Sequence, residues 1–302
     1  MIRMRRVPAT AALAVLVATL ATACSGPGGQ PAPAPASAGS CHAGVSGAEN
    51  WIMGSGELSA AQAAGASSVR YAVGSAHLFV LLLRGQTSRA GQEVADFRSY
   101  AELKKMIRQG TIPPGIRWVM YDNEQWSLTP ADEQADPVHY EQLFARLAHR
   151  QGYKVILAPA QDLVPGFDKN SFRAGQAVWP SYLSMGLAAA SARAADIYEI
   201  QAQPYEMSVY RSQHAYADFV AAAAAQARAA NPGVVIYAGL STQRVSSAAQ
   251  LLQDYEATRN LVDGYWLNIP RHDQPGPPGL ADQFLRTIPA SASASAATCA
   301  GA

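Results

Sequence analysis

The sequence predicts an α/β fold, a (β/α)8 barrel of the TIM type whose first half is irregular. From residue 116 onward short β-rich runs alternate with helix-length segments, and strands separated by whole helices pair in parallel, because each crossover has to travel the length of the sheet. Counted from Trp51, the strand candidates reach the closed-barrel number, eight. About 250 residues lie between two bland terminal segments, the size of such a barrel.

The elements follow in order. Trp51 to Met53 makes a short first strand, and Val69–Val73 and His77–Arg84 read as the second and third. Tyr100–Gln109 is a helix. Ile116–Asp122 is the fourth strand, and the helix Tyr140–Arg150, opened by Asp136-Pro137, puts Leu143, Phe144 and Leu147 on one face. Lys154–Pro159 is the fifth strand; after a loop with Pro165-Gly166, Tyr182–Ala195 reads as an Ala-rich helix leading to the sixth strand, Ile197–Gln203. Ala215–Ala230 is a long helix stopped by Asn231-Pro232-Gly233. Val234–Ser241, the helix Ala248–Thr258 and Val262–Ile269 complete the alternation.

The chain ends read differently. Arg3, Arg5 and Arg6 precede an uncharged Ala-, Leu- and Val-rich stretch that ends in Ala21-Thr22-Ala23-Cys24, which makes residues 1–23 an export signal, too short in its apolar run for a membrane span. Cys24 after small residues resembles a bacterial lipobox, with Leu20 one place early; the same letters also fit ordinary A-x-A cleavage and plain secretion. Residues 24–48 form a Gly-, Pro-, Ala- and Ser-rich tether, 49–290 the barrel domain, and 291–302 a bland tail. The chain has three cysteines. Lipidating Cys24 leaves Cys41 and Cys299 to form a disulfide across the two ends of the domain, the alternative being two unpaired thiols.

Composition narrows the function. Hydrophobic residues make up 49% and charged residues 15%, which suits a packed body and not a wholly disordered chain. The formal net charge of +1 includes the signal; three of the 23 basic residues and none of the 22 acidic ones leave with it, so the remainder stands at −2. That balance offers nucleic acid no electrostatic footprint. The six histidines show no H-E-x-x-H and no paired spacing, so no metal and no cofactor is expected. No G-x-S-x-G elbow is present.

Side chains alternate along a strand, and in a parallel barrel the outer face meets helices while polar groups at the C-terminal end of the inner face form the site. On the fourth strand Val119 and Tyr121 share one face; Trp118, Met120, Asp122 and Glu124 share the other, the two carboxylates about 7 Å apart by strand rise. On the sixth, Tyr198, Ile200 and Ala202 face out, and Glu199, Gln201 and Gln203 face in. On the eighth, Tyr265, Leu267 and Ile269 face out, and Trp266 and Asn268 face in. Carboxylates, amides and an indole at one mouth suit a sugar, whose ring stacks on the indole and whose hydroxyls take the polar bonds. Paired carboxylates also permit acid catalysis, since one raises the pKa of the other. The plainer alternative makes Asp122 and Glu124 a helix-capping and loop-bonding pair, and Glu199 with the glutamines a self-satisfied buried network.

Set out this way, residues 116–270 resemble glycoside hydrolase family 18, the chitinase and endo-N-acetylglucosaminidase barrels. The resemblance rests on Tyr121-Asp122-Asn123-Glu124, similar to the end of that family's D-x-x-D-x-D-x-E motif, on Lys154–Pro159 and Glu199-Ile200-Gln201 as its fifth and sixth strands, and on the inward Trp266. It implies that Glu124 protonates the leaving oxygen while Asp122 orients the substrate's own acetamide as nucleophile. Two earlier acidic positions of the motif hold Arg117 and Met120, and the family's sixth-strand tyrosine is replaced by Gln203. The expected protein is therefore an exported, lipid-anchored, monomeric glycosidase acting on an extracellular or cell-wall glycan. Its rivals are a non-catalytic carbohydrate-binding envelope lipoprotein and a structural lipoprotein without a ligand.

Overall fold

The computed structural model describes residues 50–55, 58, 78–82, 91–269 and 279–288. Eight parallel strands close into a barrel in chain order: β1 (Asn50–Gly54), β2 (Leu78–Leu82), β3 (Gln92–Phe97), β4 (Trp118–Tyr121), β5 (Lys154–Leu157), β6 (Ile197–Ile200), β7 (Val235–Ser241) and β8 (Gly264–Asn268). Closure sets Trp51 of β1 opposite Tyr265 of β8, and Ile52 opposite Trp266. Helices separate the strands from β3 to β8, so the fold is the (β/α)8 barrel. Cys24, Cys41, Cys299 and the terminal segments lie outside the described residues.

The first half departs from expectation. The run expected as the third strand is the second, Val69–Val73 lies outside the described residues, and the third strand is Gln92–Phe97. Only Val94, Ala95 and Phe97 of β3 are buried, while Gln92 is exposed and Glu93 and Asp96 are part-exposed, so its apolar signal is too thin to read. Further on, the helix expected over 182–195 is two, Trp179–Ser184 and Leu187–Ala194. Gly186 breaks it at φ 72, a left-handed backbone that costs glycine nothing. β6 stops at Ile200, short of the expected Gln203, which opens a 3-10 turn, Gln203–Glu206. Pro204 in that turn has no N–H for a strand ladder.

The face assignments hold. Ile52, Phe79, Leu81, Val94, Met120, Ile156, Ala158, Ile197, Tyr237 and Trp266 fill the barrel interior. Val119, Tyr121, Tyr198, Ile200, Tyr265, Leu267 and Ile269 pack outward in the layer shared with the helices. The interior is thus apolar through its middle, with Asn50 and Gln92 at the N-terminal end of the strands and the larger polar group at the C-terminal end. One outer contact fixes where β4 emerges: the Glu133 carboxylate accepts from the N–H groups of Tyr100 and Ala101 at 2.7 and 3.0 Å and from the Tyr121 hydroxyl at 2.6 Å. It caps the helix after β3 and pins the last residue of β4 in one step.

A second carboxyl is buried in the helical layer. Glu141, on the helix Pro137–Arg150, meets Ser191 Oγ at 2.6 Å, and Ser191 Oγ donates to the Leu187 carbonyl at 2.9 Å. Ser191 has one proton, so the pair is consistent with a neutral Glu141 that donates to Ser191. Burial pushes Glu141 up to about 8, with the Ser191 and Asn123 side chains opposing the rise. A carboxyl raised on folding contributes its full stability below the unfolded pKa near 4.3, and loses it as pH climbs through about 8. Glu141→Gln, which removes this titration, is expected to stabilise the protein by about 3 kcal/mol at pH 7 and to change little at pH 4. Urea unfolding at the two pH values measures this; equal effects at both would rule out a titrating Glu141.

Candidate functional site

The polar mouth is assembled from β3, β4, β5 and β6. Asp122 follows directly on β4 and is 3% exposed. Arg98, just past the end of β3, bonds one oxygen of Asp122 through Nη1 and reaches Asp96 through Nη2 at 2.7 Å. Gln201, just past β6, donates from Nε2 to the other Asp122 oxygen and to the Ala158 carbonyl, both at 2.7 Å. Asp122 is therefore held from both sides, by a guanidinium that spans two carboxylates and by an amide whose position β5 fixes. Met120, where the resembled motif has an acid, lies below it among the interior apolar side chains.

Glu124 sits one step further out and is part-exposed. Its backbone N–H donates to Thr129 Oγ1 at 3.4 Å, and Thr129 in turn donates to the Arg98 carbonyl at 2.8 Å. Burial first, then the charges of Asp122 and Asp162, push the Glu124 carboxyl up to about 8, against the pull of Arg98. Asp122 is likewise raised, by burial, with Arg98 and Gln201 opposing. Asp162, in the 3-10 turn Gln161–Leu163 after β5, accepts from the Gln125 N–H at 3.0 Å and is raised by burial.

Glu199 faces inward on β6 and is fully buried. Neither of its carboxyl oxygens has a hydrogen-bond partner among the described residues, and Trp266 Nε1 on β8 is orphaned in the same way. Burial, then Asp122 and Glu124, raise the Glu199 pKa well above its ordinary range. Gln203 is not on the strand as expected, yet its side chain still reaches the mouth: it fills the hollow over Gly239 of β7, where a Cβ would stand 2.2 Å from the Gln203 amide. Asn268 ends β8 opposite Ser241 and is part-exposed.

The barrel thus brings together Asp122, Glu124, Glu199 and Gln201 as the face pattern predicts, with Gln203 nearby by another route. Asp122 and Glu124 are not the helix caps of the plainer alternative; that work falls to Ser99, Glu133 and Asp136. Nor do Glu199 and the glutamines satisfy one another, since Gln201 spends its amide on Asp122 and Ala158. Sequence reasoning missed Asp96, Arg98, Asp162 and Trp126. The first two were hidden with β3, and an Asp-x-Arg pair at a recognised strand end is the signal that would have shown them. Trp126, two residues past Glu124, lies with its ring under the Arg98 guanidinium, 5.2 Å from centroid to Cζ, and donates from Nε1 to Thr129 at 2.8 Å.

Among the described residues no group of three or more His, Cys, Asp or Glu side chains is arranged to hold a metal ion. The mouth can hold a proton at Glu124 close to a fixed carboxylate, and can offer buried acceptors and an indole to a ligand. Compared with known proteins, the chain matches no family model and no curated protein.

Proposed function

We propose that the protein is a glycoside hydrolase that cleaves an extracellular or cell-wall glycan by acid catalysis, the activity its resemblance to family 18 implies. The observation that carries this reading is the pair at the end of β4, in which a part-exposed Glu124, raised to about 8, stands beside an Asp122 held on both oxygens. Glu124 gives its proton to the glycosidic oxygen as the bond to the anomeric carbon breaks. In the resembled family the aspartate orients the substrate's acetamide. Here Arg98 and Gln201 already engage both Asp122 oxygens, and the part left to it is to keep negative charge beside the anomeric carbon as positive charge develops there. Water then adds at that carbon and gives up a proton, which restores Glu124. A hydrolysis screen over glycans, run beside a Glu124→Gln control, tests the reading.

Met120 in an acidic motif position favours the second reading, a barrel that binds sugar without cleaving it. Binding without turnover on every glycan tried would select it. In both readings Trp266 offers the sugar an indole, and Trp266→Ala is expected to weaken glycan binding by about 1–3 kcal/mol. Unchanged affinity in a folded Trp266→Ala variant, measured by calorimetry, would take the indole out of the site.

The export reading belongs to the same proposal. Residues 1–23 act as a signal and Cys24 carries lipid, which anchors a protein that has, among its described residues, no helix long and apolar enough to cross a membrane. Cys24→Ala is expected to release the protein from membranes or to block its processing. Cleaved wild-type protein in the medium, with no lipid mass on its N-terminus, would select plain secretion.

A further inference from the structure

The charge balance of the mouth points to the kind of sugar it takes. Among the described residues, Asp96, Asp122, Glu124, Asp162 and Glu199 converge there against Arg98, which is already spent on Asp96 and Asp122, and Lys169, which acts on Asp162. An acidic group of this kind acquires meaning only with an atom that waits for a ligand, and Glu199 supplies it. Its carboxyl is wholly buried on the inward face of β6, both oxygens lack a partner among the described residues, and it lies within electrostatic reach of Asp122 and Glu124. A buried carboxyl without a partner costs free energy that a bonded cation would recover.

The positions around Glu199 carry small or flexible side chains on two sides. Ala158 lies next to it on the β5 side, with no polar group of its side chain to offer. On the β7 side Glu199 pairs in register with Tyr237, and one inward position higher is Gly239, flanked by Trp266 of β8. The three atoms nearest a Cβ at Gly239 all belong to Gln203, a flexible side chain whose rotation would uncover Gly239 between Glu199 and the indole. Among the described residues these acids are not grouped as metal ligands, and an organic ammonium is the cation that a buried, single carboxylate suits.

Resting on the glycosidase reading, we infer that the mouth is selective for a glycan with a free, protonated amino group, which Glu199 receives as an ion-paired ligand. Asp122 adds to the attraction from β4, Asp96 from β3 and Asp162 from the turn after β5; Arg98 and, at Asp162, Lys169 oppose it, and Glu124, which holds its proton below about pH 8, adds no charge. A neutral acetamide would leave the Glu199 oxygens and the acidic excess without a positive partner. Burial disfavours the charged form of Glu199 and a bonded ammonium favours it, so ammonium binding is linked to proton release.

The test is calorimetric titration of the full-length protein with β-1,4-linked glucosamine oligomers and with their N-acetylated counterparts of equal length, in two buffers of different ionisation enthalpy. The wild type is expected to bind the free-amine oligomer about tenfold more tightly or better, with proton release and a preference that shrinks as salt rises. Glu199→Gln is expected to bring the ratio near one, by weakening the free-amine oligomer more than the acetylated one. Equal or tighter binding of the acetylated oligomer by the wild type would overturn the inference and leave the glycosidase reading standing; so would an unchanged ratio in a folded Glu199→Gln protein. Failure of a wide glycan panel, these oligomers included, to bind or turn over would instead overturn the glycosidase reading, and the inference with it. Should Glu199→Gln not fold, the wild-type ratio and proton release decide alone.

Discussion

Glu124→Gln is expected to lower turnover of the cleaved glycan by about 10²–10⁴-fold while leaving its affinity within a few-fold of wild type. The amide keeps the shape of the side chain and its hydrogen bonds, but has no proton to deliver to a leaving oxygen. The pH dependence follows from the same group. An acid catalyst works in its protonated form, and burial with the charges of Asp122 and Asp162 sets Glu124 at about 8. Turnover limited by this acid therefore stays level below that pH and falls about tenfold per unit above it. An ordinary exposed glutamate, near 4.3, would already be ionised at neutral pH and show the fall three to four units lower, at about pH 4. Single-turnover rates across pH 5–10 separate the two. Full activity in the Gln variant would take Glu124 out of the chemistry, and a fall near pH 4 would say that Glu124 is neither buried nor beside the charge of Asp122 in solution.

Much of this site could be read from the chain because each of its parts is local. The alternation of Trp118, Met120 and Asp122 against Val119 and Tyr121 sorts β4 into an inner and an outer face, and the same holds for β6 and β8, with no knowledge of the partner strands. What could not be read is what depends on partners distant in sequence. Arg98 and Asp122 are 24 residues apart and Gln201 and Asp122 are 79 apart, and nothing in the spacing of letters says that these side chains meet. β3 was lost for a further reason. Its inward positions are Val94 and Asp96, so half of its interior pattern is the functional group itself, and the strand is least hydrophobic where it serves the site. Gln203 shows the reverse: its alternation put it on the inner face, the turn at Ala202, whose N–H bonds back to the Ile200 carbonyl, ended the strand before it, and its side chain still fills the hollow over Gly239.

Removing the cation from that network should be the most damaging single change to the fold of the mouth. In Arg98→Ala, Asp96 and Asp122 lose the guanidinium that spans them, and Asp122, 3% exposed, keeps only the Gln201 amide. Breaking a buried ion pair from one side costs about 3–5 kcal/mol, because the remaining charge stays desolvated. The cost should depend on pH in a definite sense. Arg98 holds down the Asp122 pKa against burial, so without it the folded pKa rises further above the unfolded value. A carboxyl shifted that way keeps its stability at pH below the unfolded pKa and loses it as pH climbs through the folded one, so the loss from Arg98→Ala grows between pH 4 and pH 8. Arg98→Lys should recover only part of it, since a single ammonium does not reproduce a fork that reaches two carboxylates. Arg98→Ala combined with Asp122→Asn should recover more at pH 8 than at pH 4, by removing the stranded charge. Equilibrium unfolding of the three variants at both pH values measures this. A loss that is the same at both, and that Asp122→Asn does not relieve, would mean that Arg98 acts through its packing on the Trp126 ring and not through the charge it brings to Asp122.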